Sequence, residues 1–234
     1  MSKIYPLPTF DGTHHICKSG KPAYSPRFKE VGKFHEPGLA PVCDKTGWYH
    51  ITTGGNPAYT QRYLKVWGFY CGRAAALDEN GWMHLDNNGN PAYLERYIWV
   101  GNFQENLCTV QSCNGFSHIN TEGKMAYPEF YAYAGDFRDG AAVTVTLSDR
   151  QSYHITPSGK LLHEKSFGAL DVFHKGYARA KDEHGWHHID LSGKSCYVER
   201  YVSVEPFYNG LSVVEASNGQ RLRIDENGKV VDEI

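Results

Sequence analysis

Hydrophobic and polar residues alternate over short runs of the chain. In GWYHIT (47–52), Trp48 and His50 share one face and Tyr49 and Ile51 the other, the two-residue period of a β-strand. GLAPV, entered from Gly38, is a second short β-compatible run. The stretches TTGGNP, DNNGNP and NTEGK carry the Gly and Asn that tolerate positive φ in tight turns. Ala58 to Phe69 (AYTQRYLKVWGF) is aromatic and β-branched, with one break near its middle. No segment of about 10 residues or more keeps a 3.6-residue period, so the pattern predicts almost no helix. Four strands of about five residues and four turns of about three give a unit of roughly 32 residues.

That unit repeats along the whole chain. A central histidine recurs at His15, His50, His84, His118, His154 and His188, with Arg223 in the seventh slot, a period of about 34 residues. A turn glycine keeps step at Gly20, Gly55, Gly89, Gly123, Gly159, Gly193 and Gly228, and a closing phenylalanine at Phe34, Phe69, Phe103, Phe137, Phe173 and Phe207. Three position classes in one register define seven copies, at about 1–34, 35–69, 70–103, 104–137, 138–173, 174–207 and 208–234, in a single repeat domain. The fifth copy is the most divergent (VTLSDRQSYH, LLHEKSFGALDVF).

A unit this small cannot bury its own apolar face, so its neighbours must cover it. The expected fold is all-β: a six- or seven-bladed β-propeller, its N- and C-terminal partial repeats completing one blade. An open β-solenoid is the alternative. The C-terminal VVDEI stops where a strand should still run, which hints at a further domain.

GWYHIT, GWMHLD and GWHHID, each followed by a Gly turn and then a Phe-x-x-G segment, resemble WG repeats. The pattern in that family is Trp-Gly-Tyr-Ile-Asp, then Gly-Lys, then an aromatic and F-x-x-G-x-A. The resemblance covers essentially the whole chain and is strongest over 35–137 and 174–210. Tyr49, Met83 and His187 replace the Gly after Trp, and histidine takes the Tyr position. The resemblance implies a β-repeat fold, a bacterial source and a role as an accessory module beside an enzymatic domain such as a methyltransferase. It brings no catalytic residues.

Composition narrows the partners. The 234 residues carry a net charge of -2 with no basic stripe, so nucleic acid is not an expected ligand. No run of 18 apolar residues occurs and mean hydropathy is -0.53, so no membrane association is expected. MSKIYPLPTFDG lacks the apolar core of a secretory signal. The six cysteines, Cys17, Cys43, Cys71, Cys108, Cys113 and Cys196, follow no metal or disulfide spacing, which fits a reducing compartment and a cytoplasmic location.

The candidate chemistry lies in the repeat positions and in the divergent copy. Converging on one axis, the six histidines would form a ring able to hold a transition metal or an anion. As repeat packing residues, each would donate a ring N–H to a neighbouring unit, and this reading is the expected one. Arg62, Arg96 and Arg200, each followed by a tyrosine, suit sugar stacking or carboxylate recognition, or else cover the sheet and bond loop carbonyls. Asp44, Asp78, Glu79, Asp182 and Glu183 sit at hairpin turns as solvated charge, and Asp136, Asp139 and Asp171 are the carboxylates outside the consensus. No GxSxG, Walker A, HExxH or GxGxxG motif is present, so catalysis and a cofactor are not expected. The expected function is a non-catalytic scaffold for a protein partner or a fused enzyme domain. Its binding face would include Arg150, His163, Lys165 and Phe167 of the divergent copy, together with the three arginines. A glycan-binding repeat lectin is the alternative, and a propeller enzyme a more distant one.

Overall fold

A computed structural model describes residues 4–234. They contain no helix, and none is therefore long and apolar enough to cross a membrane. The strands fall into two compact units: residues 1–114 with 119–125, and residues 115–118 with 126–234.

In the first unit, β1 (Leu7–Pro8) pairs with β2 (His15–Ile16). β3 (Glu30–Val31), β4 (Leu39–Asp44) and β5 (Gly47–Thr52) form the second sheet in that order. β6 (Lys65–Tyr70), β7 (Arg73–Asp78) and β8 (Gly81–Leu85) form the third. β9 (Trp99–Val100) then pairs with β10 (Leu107–Ser112), and the division between the units runs through β11 (Gly115–Asn120). The second unit holds β12 (Tyr133–Ala134), β13 (Ala142–Val145) and β14 (Ser152–Ile155) in one sheet. The next sheet is β15 (Ala169–Leu170), β16 (Tyr177–Asp182) and β17 (Gly185–Asp190). β18 (Ser203–Val204), β19 (Leu211–Glu215), β20 (Arg221–Asp225) and β21 (Val230–Glu233) form a separate last sheet. All pairings are antiparallel.

The hairpins form where alternation predicts them. Leu39 to Asp44 faces Thr52 to Gly47 without a slip, and Asp44 Oδ1 accepts the Thr46 amide across the turn at 2.6 Å. Gly47, at φ 124°, closes that turn, because a Cβ there would stand 3.0 Å from the Tyr63 carbonyl oxygen. Val42, Tyr49, Ile51, Val66, Met83, Leu85 and Val110 are buried in the core of the first unit. Phe173, Ala180 and Ile189, and separately Phe207, Val214 and Ile224, are buried in the second.

Two features differ from the four-strand unit read from the sequence. The sheet frame is offset from the sequence frame, because six of the seven sheets take their leading strand from the end of the preceding copy, two residues long in every case except β6. Val31 of the first copy pairs with Val42 of the second, and Val66 of the second with Ala76 of the third. The last sheet accordingly has four strands, while the first has two and no leading strand among the described residues.

The expected fourth strand is otherwise irregular, tied by single bridges such as Ile51↔Pro57 and Trp48↔Tyr63. Pro57 has no N–H with which to extend a ladder. Arg62 Nη1 also gathers the carbonyls of Tyr59, Thr60 and Gln61 at 3.3, 2.9 and 2.9 Å, curling the segment around the guanidinium. The fourth and fifth copies have neither residue at these positions (Met125 and Phe130, Leu161 and Ser166) and keep the single bridges, whereas in the seventh copy the segment forms the strand β21.

Candidate functional site

The repeating polar group is an internal tie. His50, on β5 and fully buried, has Nε2 2.8 Å from the Trp67 carbonyl oxygen and Nδ1 2.5 Å from Tyr59 Oη. The carbonyl only accepts, so Nε2–H donates to it and Nδ1 accepts the tyrosine hydroxyl proton. The same pair of bonds joins His15 to Tyr24 and Gly32, His84 to Tyr93 and Gly101, His118 to Tyr127 and Gly135, and His188 to Tyr197 and Glu205. The closing phenylalanine lies against the ring, at 4.6 Å for His50 and Phe69 and 4.0 Å for His188 and Phe207.

Burial, opposed by the bond to the carbonyl, presses the imidazoles of His50, His84 and His118 down to about 4. The histidines are therefore neutral, with both ring nitrogens engaged. Among the described residues no three His, Cys, Asp or Glu side chains come together to hold a metal.

Each tyrosine ring of these ties also packs on the next copy's turn. A Cβ on Gly89, at φ 75°, would stand 2.3 Å from the Tyr59 ring, and one on Gly123 2.5 Å from the Tyr93 ring. His, Tyr and the following Gly thus lock one copy to the next.

The arginines face inward as well. Besides holding its own loop carbonyls, Arg62 donates from Nε to Thr46 Oγ1 at 2.9 Å and stacks 3.6 Å over the Tyr49 ring. Arg96 Nε reaches Asp78 Oδ2 at 3.0 Å, and Arg200 Nε reaches Asp182 Oδ2 at 2.7 Å. Asp78 and Asp182 are therefore clamped at the hairpin turns rather than simply solvated. Asp44 accepts the Tyr49 hydroxyl at 2.8 Å.

The divergent fifth copy splits. Arg150, at φ 60° in a turn, and Lys165 are exposed. His163 and Phe167 are buried, because they fill the two tyrosine slots of the repeat. His163 Nε2 lies 3.0 Å from His154 Nδ1, where the other copies place a tyrosine hydroxyl. His154 Nε2 donates to the Asp171 carbonyl at 2.8 Å, which leaves Nδ1 as acceptor and makes His163 Nε2–H the donor.

Some of the positions that vary between copies and face solvent in the first unit carry large apolar side chains. Leu64 and Ile98 occupy matching positions in successive copies and are 62% and 60% exposed. Trp67 and Trp99 are 48% and 42% exposed. Trp67 stands where other copies have Gly32 and Gly101, and Trp99 where they have Glu30 and Lys65. Lys65 Nζ lies 3.4 Å over the Trp48 ring and 5.1 Å from that of Trp67. Sequence reasoning missed these residues, although the copy-to-copy departures, Gly to Trp above all, mark them.

Three solved structures share the architecture. The computationally designed Ika8 protein is 14% identical over 97% of this chain and 82% of that chain, with a TM-score of 0.50. BamB from Moraxella catarrhalis is 12% identical over 99% of this chain and 84% of that chain, also at 0.50. A eukaryotic initiation factor is 10% identical over 96% and 67%, at 0.53. At these identities the likeness is one of fold alone, and the fold is an all-β repeat of the β-propeller type. No curated protein matches the sequence. The family model described as "WG containing repeat" matches residues 18–47, so the segment from Lys18 to Gly47 is similar to that repeat, the family that GWYHIT and its counterparts resemble.

Proposed function

We propose that the chain is a non-catalytic binding module that holds a protein partner, separate or fused to it, through the exposed apolar residues Leu64, Trp67, Ile98 and Trp99 of its first unit. The observation that carries this reading is the division of labour between residues. The central histidines, their tyrosines and the arginines are consumed in ties within the array, while the solvent-facing positions vary and place two tryptophans in water. Exposed tryptophan is enriched at interface hot spots, and large apolar side chains left in water are the residues from which binding surfaces are built.

The test compares two baits, the wild-type chain and the W67A/W99A double variant, with equal thermal stability established first. A protein retained by the wild type, lost from the double variant and rebinding in purified form by calorimetry supports the reading. Equal retention by both baits overturns it. So does saturable binding to a glycan array with no protein retained, which favours the lectin.

A further inference from the structure

Asparagine is followed by glycine six times, at Asn80, Asn88, Asn114, Asn209, Asn218 and Asn227. In such a pair no Cβ keeps the glycine nitrogen away from the asparagine side-chain carbon. Whether that nitrogen is free to attack depends on where its N–H is held. Five of the six glycines are the last residue of their turn, the place whose N–H closes it. Gly89 donates to the Asp86 carbonyl at 3.1 Å, Gly219 to that of Ala216 at 2.9 Å and Gly228 to that of Asp225 at 3.0 Å. Gly81 closes the hairpin of β7 and β8 opposite Asp78. Gly115 opens β11, and a Cβ there would stand 2.5 Å from the Tyr131 carbonyl oxygen. Asn218 is also pinned by its own side chain, with Oδ1 accepting the Gln220 amide at 3.0 Å and Nδ2 donating to Gln220 Oε1 at 3.3 Å.

Asn209 and Gly210 are placed differently. They are the two central residues of the turn between Tyr208 and Leu211, which exchange both main-chain bonds at 2.8 and 3.1 Å. Their φ values of 52° and 77° are those of a type I′ hairpin turn. The central amides of such a turn take no part in closing it, and the Gly210 amide makes no hydrogen bond among the described residues. Asn209 is exposed and Gly210 half-buried. The matching turns, two residues past the closing phenylalanine, hold Cys71, Glu105, Asp139 and Lys175 at φ 48°, 51°, 51° and 52°. Of these turns, the one in the sixth copy alone sets an asparagine before glycine.

We propose that Asn209 is a self-modification site, where the Gly210 main-chain nitrogen attacks the Asn209 side chain and, with water as co-reactant, converts it to aspartate and isoaspartate. The Gly210 N–H gives its proton to hydroxide and the nitrogen bonds to Cγ. The Cγ–Nδ2 bond breaks, and the leaving nitrogen takes a proton from water and departs as ammonia, which leaves a cyclic imide. Water then opens the imide. Attack at Cγ restores the normal main chain with an aspartate side chain, and attack at the main-chain carbonyl carbon leaves the chain running through the former side chain. One water enters, one ammonia leaves and nothing is oxidised or reduced. Glu105 and Asp139 at the matching turns show that this kind of hairpin holds an acid at the same φ. The new carboxylate arises near Glu226, whose Oε1 lies 4.0 Å from where a Cβ on Gly210 would stand. The inference is independent of the reading of the chain as a protein-binding module.

The test holds the full chain at physiological temperature and mildly alkaline pH, folded and in guanidinium chloride, and follows all six pairs by peptide mapping and mass spectrometry. The N209D protein supplies the standard for the aspartate product, and the remaining acid at that position is isoaspartate. In the folded chain Asn209 should convert at least about fivefold faster than each of the other five, whose glycine amides must first give up a hydrogen bond. In the denatured chain the six rates should draw together, because the turn that distinguishes them is gone. Conversion led by any other pair, or no conversion of Asn209 in the folded chain, overturns the proposal. So does an unchanged lead of Asn209 in the denatured chain, which would trace its reactivity to neighbours in sequence rather than to the turn.

Discussion

Arg223 meets Asp232 through two contacts, Nε to Oδ1 at 2.9 Å and Nη2 to Oδ2 at 2.8 Å, across the same nine-residue spacing that joins His50 to Tyr59. The seventh copy has kept the tie and changed its chemistry. A buried neutral pair has become a half-exposed ion pair.

The two kinds of tie should differ in worth. Tyr59→Phe leaves the buried Nδ1 of His50 without its donor and should cost about 1–3 kcal/mol. Asp232→Asn at the half-exposed pair should cost about 1 kcal/mol or less, and its effect should shrink in high salt. Urea unfolding of both variants at low and high salt reads the difference, and a larger cost for D232N would contradict the assignment.

The turn glycines should also separate. Gly89→Ala combines a strained φ of 75° with a Cβ 2.3 Å from the Tyr59 ring, and should cost several kcal/mol or prevent folding. Gly20 has a similar φ of 77° and nothing within 4 Å of a Cβ, so Gly20→Ala should cost only the backbone strain, about 1–2 kcal/mol. Thermal melts of the two variants side by side check the contrast.

Acid should weaken the fold in a defined window. Burial presses His50, His84, His118, His154 and His188 from the ordinary 6.5 to about 4. Between those values the unfolded chain binds protons that the folded chain refuses, so stability falls as pH drops below about 6.5 and the histidine contribution levels off near 4. Each such histidine adds up to about 1.36 kcal/mol per pH unit to the slope. Unfolding free energies measured from pH 7.5 to 4.5 should fall steeply. A flat profile would mean that the rings are charged or solvated.

The fifth copy should be the most acid-sensitive. Its tie joins two imidazoles, His154 and His163, and burial lowers the affinity of both for protons. Lys165 also disfavours a charge on His163, while Asp190 favours one. His163→Tyr removes one titrating partner and restores the hydroxyl used elsewhere, so it should raise stability more at pH 5.5 than at pH 7.5. An equal gain at both values would show that packing rather than protonation sets the difference.

The fold was legible because its ties are periodic. His50, Gly55 and Phe69 recur with the same offsets in copy after copy, and the hairpin of β4 and β5 follows from alternation alone. The irregular fourth segment was not: in the second copy Pro57 and the carbonyl-gathering Arg62 work against a ladder, but the segment stays irregular at Met125 and Leu161 as well, so no single residue type announces it. The offset between sheet and repeat escaped for a related reason: a two-residue strand such as β3 has no periodicity to detect. At the divergent copy, sequence difference suggested a binding face, yet His163 and Phe167 are core substitutions in tyrosine slots. Departure from a repeat marks a surface only where the slot faces water, and the sequence does not say which slots do.

Because each tyrosine closes on its own copy's histidine and the next copy's glycine, the residues that set the fold and those proposed for recognition are different. The side chains of Leu64, Trp67 and Trp99 take no part in that lock, Trp67 contributing only its main-chain carbonyl, so they are free to change one copy at a time without disturbing the register. A chain built this way can acquire a new partner by surface substitution alone, while the interior continues to spell the same three letters.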